Sequence, residues 1–386
     1  MTDAGAFRIG DQAVLERADF GRLIEALREA GYRVIGPRLK GKAVVYDEID
    51  GQDDLPAGWT DEQEAGSYRL TRREDKALFG YVAGVQSWRP YLFRPQRTLW
   101  RAHGDASDFT IEPVAAEAPP MAFLGMRACE LHAVGIQDRV FIAGEHQDAD
   151  YTARREAAFF IAVNCGKAGG TCFCTSMNTG PRADSGHDLA LTEIVTTERH
   201  YFLVEIGSLR GAMLSVKLPL VAARDDDIAK ADAIVEQTAE SMGRRLRTEG
   251  LKELLQENLE HPHWDEVAER CLACANCTMV CPTCFCHTTE DVTDLEGKVA
   301  EREQKWDSCF NLDFSYIRGG SVREGVAPRY RQWMTHKLAN WIDQFGEAGC
   351  VGCGRCISWC PAGIDITAEA AAIRASVEGG EDHGNA

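Results

Sequence analysis

The sequence predicts an α+β protein. We expect a mixed α/β domain over residues 1–223, a helical bridge over 224–270, a mainly helical, cysteine-rich domain over 271–374 and a flexible tail over 375–386. Cysteine use supports this division, because the first 128 residues contain none of the 15 cysteines and most of them lie between 271 and 360. Short apolar runs alternate with turn-rich segments up to about residue 207, and helical patterning dominates from 224 onward.

Length and charge limit the class of protein. A chain of 386 residues exceeds the usual size of a single core and predicts two or three domains. With 42 basic and 60 acidic side chains the net charge is −18, which disfavours a surface that binds nucleic acid or anionic membrane.

The sequence also predicts a location. Residues 1–20 show no basic segment followed by an apolar run, and no stretch approaches the roughly 20 apolar residues of a membrane span. We therefore expect a cytoplasmic chain without a membrane span. In that reducing compartment, cysteines serve as metal ligands more often than as disulfides.

The amino-terminal region begins with a helix and continues with strands. Phe20, Leu23, Ile24 and Leu27 recur at helical spacing, and Gly31 ends the pattern. Apolar or alternating runs predict strands at 43–49, 121–126, 159–165 and 200–207.

Two later segments are expected to be helical. Residues 224–270 are charged, have high helix propensity and almost lack β-branched runs, which predicts the bridge. Residues 328–345 show a second helical pattern.

One cysteine motif occurs twice in the cysteine-rich region. Cys271, Cys274, Cys277 and Cys281, followed by Pro282, form C-x2-C-x2-C-x3-C-P, and the same pattern recurs 79 residues later. Three cysteines at this spacing lie on one tight turn and suit three corners of an iron–sulfur cube. The fourth stands beside a proline that redirects the backbone, and in two-cluster proteins it ligates the other cluster.

The spacing therefore predicts two 4Fe–4S clusters with exchanged ligands. The predicted ligands are Cys271, Cys274, Cys277 and Cys360 for cluster 1 and Cys350, Cys353, Cys356 and Cys281 for cluster 2. Zinc is the alternative, but zinc sites typically use separated C-x2-C pairs. Another alternative places Cys284 in the role of Cys281, although only Cys281 precedes a proline as Cys360 does.

The segment between the two motifs predicts the kind of ferredoxin fold. Bacterial ferredoxins have a short spacer, whereas residues 282–349 intervene here with a helical pattern. The region resembles the α-helical ferredoxins that serve as electron-transfer subunits of larger oxidoreductases, and we expect an α-helical ferredoxin-like domain.

Several segments together suggest a family. The strings GVQSWRPYLFRP, GMRACELHAVGIQDRVF, CGKAGGTCFCTSMNTGP, CPTCFC, RYRQWMTHKL and GCVGCGRCISWCPAGIDI resemble the β subunit of cytoplasmic NAD(P)-linked nickel–iron hydrogenases, or sulfhydrogenases. The A subunit of anaerobic sulfite reductase is similar over the same span. The resemblance implies a non-catalytic 4Fe–4S subunit that passes electrons among a flavin subunit that binds NAD(P), the cluster-bearing small subunit and the metal-bearing large subunit.

The chain shows no nucleotide-binding or haem-binding motif. There is no G-x-G-x-x-G after a strand and no G-x4-G-K-[ST], so we expect neither flavin nor nucleotide in this chain. Thr278 follows Cys277, which excludes C-x-x-C-H at that position. His287 and His336 lie alone in the cysteine-rich region and are assigned no ligand role.

Four cysteines form a candidate third site. Cys129 follows the run at 121–126, and Cys165, Cys172 and Cys174 follow the run at 159–165 in a glycine-rich loop. If the two strands are neighbours in one sheet, these thiols converge at its carboxyl edge. The interpretations are a third 4Fe–4S cluster, a structural zinc, or cysteines buried as small apolar residues.

Cys284, Cys286 and Cys309 remain unassigned. Three thiolates can hold a cluster with one open iron, or a fourth ligand can come from elsewhere. The tripeptide CFC occurs at 172–174 and again at 284–286, and a site shared between the two domains is a further hypothesis.

The predicted function is electron transfer without a substrate pocket. The preferred context is NAD(P)-linked hydrogen oxidation, with a flavin subunit and the small and large hydrogenase subunits as partners. Anaerobic sulfite reduction, with the sulfite reductase subunits as partners, is the alternative. A zinc-stapled scaffold or regulatory module is the alternative of another class.

Overall fold

The computed structural model describes residues 7–82, 84–104 and 108–381. Its strands, in chain order, are β1 Gln12–Glu16, β2 Arg33–Lys40, β3 Ala43–Glu48, β4 Trp59–Glu64, β5 Ser67–Arg72, β6 Gln96–Gly104, β7 Phe109–Pro113, β8 Met121–Met126, β9 Ala158–Val163, β10 Leu189–Val195, β11 His200–Ile206, β12 Val221–Ala222, β13 His287–Thr293, β14 Val299–Trp306, β15 Tyr316–Ile317 and β16 Gly320–Ser321.

Helices follow the same chain order. They are α1 Phe20–Glu29, α2 Arg89–Leu92, α3 Ala128–Phe141, α4 Ala149–Ala157, α5 Leu209–Ser215, α6 Asp225–Glu240, α7 Leu251–Glu257, α8 His263–Arg270, α9 Asn276–Met279, α10 Val326–Thr335, α11 Trp341–Phe345, α12 Arg355–Ser358 and α13 Ile366–Glu381. A π-helical turn, His336–Asn340, joins α10 to α11.

An eight-stranded mixed sheet organises the amino-terminal region. Its strand order is β12-β1-β11-β10-β9-β8-β2-β3, and the four central strands β10, β9, β8 and β2 run parallel. The strands β8 and β9 are buried at every position, as expected for parallel strands covered on both faces. The helix α1 and the strands β3, β8, β9 and β11 occupy the segments where the sequence predicts them.

Alternate side chains of the sheet enter two cores. Phe159, Ile161 and Phe202 pack with Phe20 and Leu23 of α1 on one face. Phe123 and Phe160 pack with Leu131 and Val134 of α3 on the other. Because α3 leaves the carboxyl end of β8, this packing fixes the edge at which Cys129 and the loop after β9 lie.

The spacer between the cysteine motifs is not mainly helical, which corrects the expectation for residues 282–349. The hairpin of β13 and β14 occupies its first half and joins β6 and β7 in a four-stranded antiparallel sheet. Most side chains of β13 are exposed, so it lacks the apolar alternation that would have predicted a strand. The pairing of β14 with β6 instead stabilises the hairpin through a contact about 200 residues away in the chain.

The carboxy-terminal helices form their own core around the cysteine loops. Trp264 of α8, Tyr330 and Trp333 of α10, and Ile373 of α13 pack against one another in a cluster that includes several motif cysteines. The bridge segment contains α6, α7 and α8.

The predicted flexible tail is wrong over its first residues, because α13 continues to Glu381. The segment AEAAAIRAS has high helix propensity, which favours continuation of the helix. Residues 382–386 lie outside the described residues. Within the described residues, no helix is long and apolar enough to cross a bilayer.

Candidate iron–sulfur centres

The two cysteine motifs form the same local loop. Each loop contains two left-handed residues, Ala273 and Ala275 in the first (φ 48° and 64°) and Gly352 and Gly354 in the second (φ 63° and 73°). The amide of Ala273 donates to the sulfur of the cysteine two residues earlier at 3.4 Å, and the amide of Gly352 does the same at 3.5 Å. The short helices α9 and α12 then follow at equivalent positions.

The left-handed positions predict opposite effects of exchanging alanine and glycine. We expect Ala275→Gly to raise stability by about 1 kcal/mol, because a left-handed non-glycine residue costs roughly 1–2 kcal/mol. We expect Gly354→Ala to lower stability by about 1–3 kcal/mol, since its Cβ would lie 2.4 Å from the Thr171 carbonyl oxygen. The measurement is the denaturant midpoint for loss of visible absorbance without oxygen. Shifts of the same sign in both variants would contradict the equivalence of the loops.

The first cavity brings together cysteines of both motifs. Cys271, Cys274 and Cys277 line it together with Cys360, the last cysteine of the second motif, and Cys356 also reaches its wall. The amide of Ile364 donates to Cys360 Sγ at 3.4 Å. The remaining walls are largely apolar and aromatic, and include Phe310, Tyr330 and Trp333. Four thiols at a mostly apolar cavity are a donor set that fits a 4Fe–4S cluster.

The second group contains the reciprocal exchange. Burial raises the pKa of Cys350 to about 12, and the nearby Cys281 and Cys353 thiolates raise it further. Burial likewise raises the pKa values of Cys353 and Cys356, and Cys281 adds to both effects. Cys281 therefore lies among the first three cysteines of the second motif, and these four thiols also fit a 4Fe–4S cluster.

Solvent reaches the first site more readily than the second. Cys274 is exposed, and its neighbour Leu272 is 68% exposed. The motif cysteines 350, 353 and 356 are all partly buried.

The amino-terminal cysteines lie at one edge of the large sheet. The strands β8 and β9 are neighbours, and Cys129 and Cys165 follow them directly. Burial raises the pKa values of Cys172 and Cys174, and Cys165 contributes to both shifts. Burial also raises the pKa of Cys129, and the nearby Cys353 and Cys174 add to this shift. The structure thus brings all four thiols into one neighbourhood.

Two glycines allow this edge to close around the thiols. A Cβ on Gly169 would lie 3.1 Å from Cys172 Sγ, and one on Gly180 would lie 3.3 Å from Cys174 Sγ. The edge also contacts the second motif, because the Phe173 amide donates to the Gly352 carbonyl at 2.8 Å. The second motif therefore contacts both the first cavity, through Cys356, and the amino-terminal cysteines.

A buried ion pair connects the second motif to this sheet edge. Arg355 contacts Glu130, and each side chain is 1% exposed. Glu130 also accepts hydrogen bonds from Trp88 Nε1 at 3.0 Å, Tyr46 Oη at 3.2 Å and the Arg127 amide at 3.0 Å. Sequence patterns did not predict this pair, because its members lie 225 residues apart and neither occupies a ligand position of a cysteine motif.

The three unassigned cysteines lie near one another and near Cys281. Cys284 hydrogen-bonds Cys281, and Cys309 hydrogen-bonds Cys286, which lowers the pKa of Cys286 to about 7. The cysteines around the other CFC segment are instead Cys129, Cys165 and Cys353. Among the described residues, no three histidine, cysteine, aspartate or glutamate side chains are placed to hold a single metal ion, and this applies to the motif cysteines as well.

The two histidines of this region differ in their surroundings. His287 is exposed at the start of β13. His336 packs edge-on against Phe285 and Trp341, with ring centroids 6.1 and 5.4 Å away. Burial lowers the pKa of His336 to about 4, and Lys337 contributes in the same direction.

His336 predicts a loss of stability in acid. The pKa of His336 in the folded protein lies below its ordinary value of 6.5. Its contribution to folding stability is therefore fully present above pH 6.5 and is lost as the pH falls towards 4. We expect His336→Phe, which keeps the aromatic contacts, to remove about 2 kcal/mol of the destabilisation seen at about pH 5. The measurement compares unfolding midpoints of both proteins near pH 7 and pH 5. Equal pH dependence in the two would exclude this role of His336.

Comparisons with known proteins agree with this geometry. Residues 270–364 match the family described as a 4Fe-4S dicluster domain. The chain is also 27% identical over 349 residues to a Pyrococcus furiosus protein named sulfhydrogenase 2 subunit beta, over 90% of this chain and 93% of the relative. The chain is a homologue of a sulfhydrogenase β subunit. In this chain, the matched residues 270–364 contain both cysteine motifs and the β13–β14 hairpin. The hairpin therefore lies inside the dicluster region. The similarity to the relative also extends over the amino-terminal α/β region.

Proposed function

We propose that this chain is an iron–sulfur electron-transfer subunit of a multisubunit oxidoreductase, without a substrate site of its own. Its role is to relay electrons between a flavin subunit that binds NAD(P) and the small and large subunits of a nickel–iron hydrogenase. The observation that carries the proposal is the reciprocal placement of Cys360 with the first motif and Cys281 with the second. Exchanged ligands hold two redox centres in one rigid unit.

The eight motif cysteines are the proposed ligands, with the exchange predicted by their spacing. When bound, the clusters supply one-electron transfer in a range of roughly −700 to +450 mV. The chain contributes hydrogen bonds to the ligand sulfurs, from the amides of Ala273, Gly352 and Ile364. Such bonds and the mostly apolar walls tune the reduction potential.

We also propose a third 4Fe–4S cluster on Cys129, Cys165, Cys172 and Cys174. The convergence of these thiols and their packing against the second motif support it, because they place a further site beside the second-motif cluster. A structural zinc on the same thiols is the alternative. Abundant free cysteines favour a reducing, cytoplasmic compartment.

The exposed side of the first site is the proposed face for exchange with a partner. Exposed Cys274 and Leu272 place this site nearest to solvent. The identity of the partner is proposed from the relative's name, since a sulfhydrogenase subunit functions beside hydrogenase subunits. The A subunit of an anaerobic sulfite reductase remains the second candidate, and a zinc-stapled scaffold is the candidate of another class.

Reduction by nicotinamide nucleotides tests the role of this chain. We expect dithionite to bleach the anaerobically purified chain, whereas NADH and NADPH should not, because no nucleotide-binding motif is present. Addition of a flavin subunit expressed with the chain should confer reduction by one of the two nucleotides. Direct bleaching of the isolated chain by NADH or NADPH would contradict the proposal. Copurification with a sirohaem subunit would favour the sulfite reductase context.

A further inference from the structure

Cys284, Cys286 and Cys309 meet at the base of the β13–β14 hairpin. Cys284 and Cys286 precede β13, and Cys309 follows β14. The Asp307 amide donates to the Cys286 carbonyl at 2.9 Å, which closes the base of the hairpin. The thiols of Cys286 and Cys309 then hydrogen-bond each other, and Cys284 lies 7% exposed beside Cys281.

A buried lysine lies beside these thiols. Lys337 is 6% exposed and belongs to the π-helical turn, a local distortion that often occurs at functional sites. Its Nζ donates to Thr283 Oγ1 at 2.9 Å. The thiols of Cys281, Cys284 and Cys350 are the groups whose negative charge acts on it.

A buried arginine also lies near these thiols. Arg89 is 3% exposed, lies 3.4 Å above the Trp306 ring and donates to the carbonyls of Thr278 and Cys281, each at 2.8 Å. Its Nε has no hydrogen-bond partner within the described structure. Cys284, Cys281 and Cys286 are the anionic groups that act on it.

The two cations require negative charge that no carboxylate provides. Within residues 7–82, 84–104 and 108–381, neither Lys337 nor Arg89 forms a salt bridge with an aspartate or glutamate. A buried charge without a partner is strongly destabilising, so the compensating charge must come from the sulfur groups. Cys281 belongs to the second-motif cluster, but Lys337 also acts on the thiols of Cys284, Cys286 and Cys309, which no other site uses.

We propose that Cys284, Cys286 and Cys309 ligate an additional iron–sulfur cluster, one iron of which has no cysteine ligand from this chain, and that Lys337 and Arg89 balance its negative charge. The two cations favour an iron–sulfur centre over a zinc ion, because a reduced 4Fe–4S cluster on three thiolates carries one negative charge more than a zinc ion on the same ligands. The proposal rests on the proposed function only in requiring that the chain is an iron–sulfur protein.

The test compares the iron content of cysteine variants of the full chain, purified without oxygen. We expect Cys286→Ser and Cys309→Ser each to lose about three to four iron atoms per chain, with a similar loss of acid-labile sulfide. The electron paramagnetic resonance signals of the motif clusters should remain. Ser308→Ala is the matched control, because it alters the buried neighbour of Cys309 without removing a thiol, and it should keep the full iron content.

Two outcomes would overturn the proposal. Unchanged iron and sulfide in both cysteine variants would mean that the thiols are free, and loss of zinc at constant iron would mean a different metal. If a variant also loses the motif-cluster signals, alkylation of the wild-type protein shows whether Cys286 and Cys309 are ligands. Labelling of Cys286 and Cys309 only as iron is released supports the cluster, whereas their labelling in the intact protein overturns it. A failure of the proposed function would give a different result, because the wild-type protein itself would then show no motif-cluster signals.

Discussion

Cys281→Ser should remove or strongly perturb the cluster of the second motif while the cluster of the first motif remains. The physical reason is the position of Cys281, which follows the first motif in sequence but lies among Cys350, Cys353 and Cys356. We expect a loss of up to about four iron atoms per chain. Iron analysis and electron paramagnetic resonance of the reduced protein measure this loss and identify the cluster affected.

Cys360→Ser is the matched control for this prediction. Cys360 occupies the equivalent position in the second motif but lines the cavity of Cys271, Cys274 and Cys277. It should therefore damage the first cluster and leave the second intact. To identify which signal belongs to which cluster, Cys274→Ser and Cys353→Ser provide references, since each lies on a loop whose assignment does not depend on the exchange. If each variant damaged the cluster of its own motif, the exchanged ligation would be refuted.

Arg355→Met should destabilise the protein by about 3–5 kcal/mol, because it leaves the Glu130 carboxylate buried without its cation. It should also lower the reduction potential of the second-motif cluster. Arg355 lies next to Cys356 and near Cys353 and Cys129, and a cation at this place favours the more negative, reduced form of a cluster. Denaturant unfolding without oxygen measures stability, and a potentiometric titration followed by electron paramagnetic resonance measures the potential.

The double variant Arg355→Met with Glu130→Gln separates the two effects. Removing both charges leaves no unpaired carboxylate, so we expect most of the lost stability to return. The potential of the second-motif cluster should rise partway, because the Glu130 charge is also removed, but it should stay below the wild-type value, since Arg355 acts directly on Cys353 and is still absent. An unchanged potential in both variants would exclude an electrostatic role of Arg355 at the cluster.

Sequence patterns predicted the helices and strands that depend on residues close together in the chain. The helical spacing from Phe20 to Leu27 predicted α1, and the apolar runs predicted β3, β8, β9 and β11. The dicluster domain was predictable because the spacing of its cysteines is set by the geometry of the loop itself.

Features that depend on distant contacts were not predictable in this way. The exposed strand β13 gave no apolar alternation, and the hairpin it forms with β14 adds to a sheet begun by β6 about 200 residues earlier. Lys337 and Arg89 gave no signal either, because a charged residue in the sequence does not reveal that the fold buries it without a carboxylate.

The most direct test of the central claim is a reductive titration of the full chain purified without oxygen, combined with iron and acid-labile sulfide analysis. The account predicts a brown protein with at least about eight iron and eight sulfide per chain that accepts at least two electrons in one-electron steps. A colourless protein that contains zinc and accepts no electrons would contradict it.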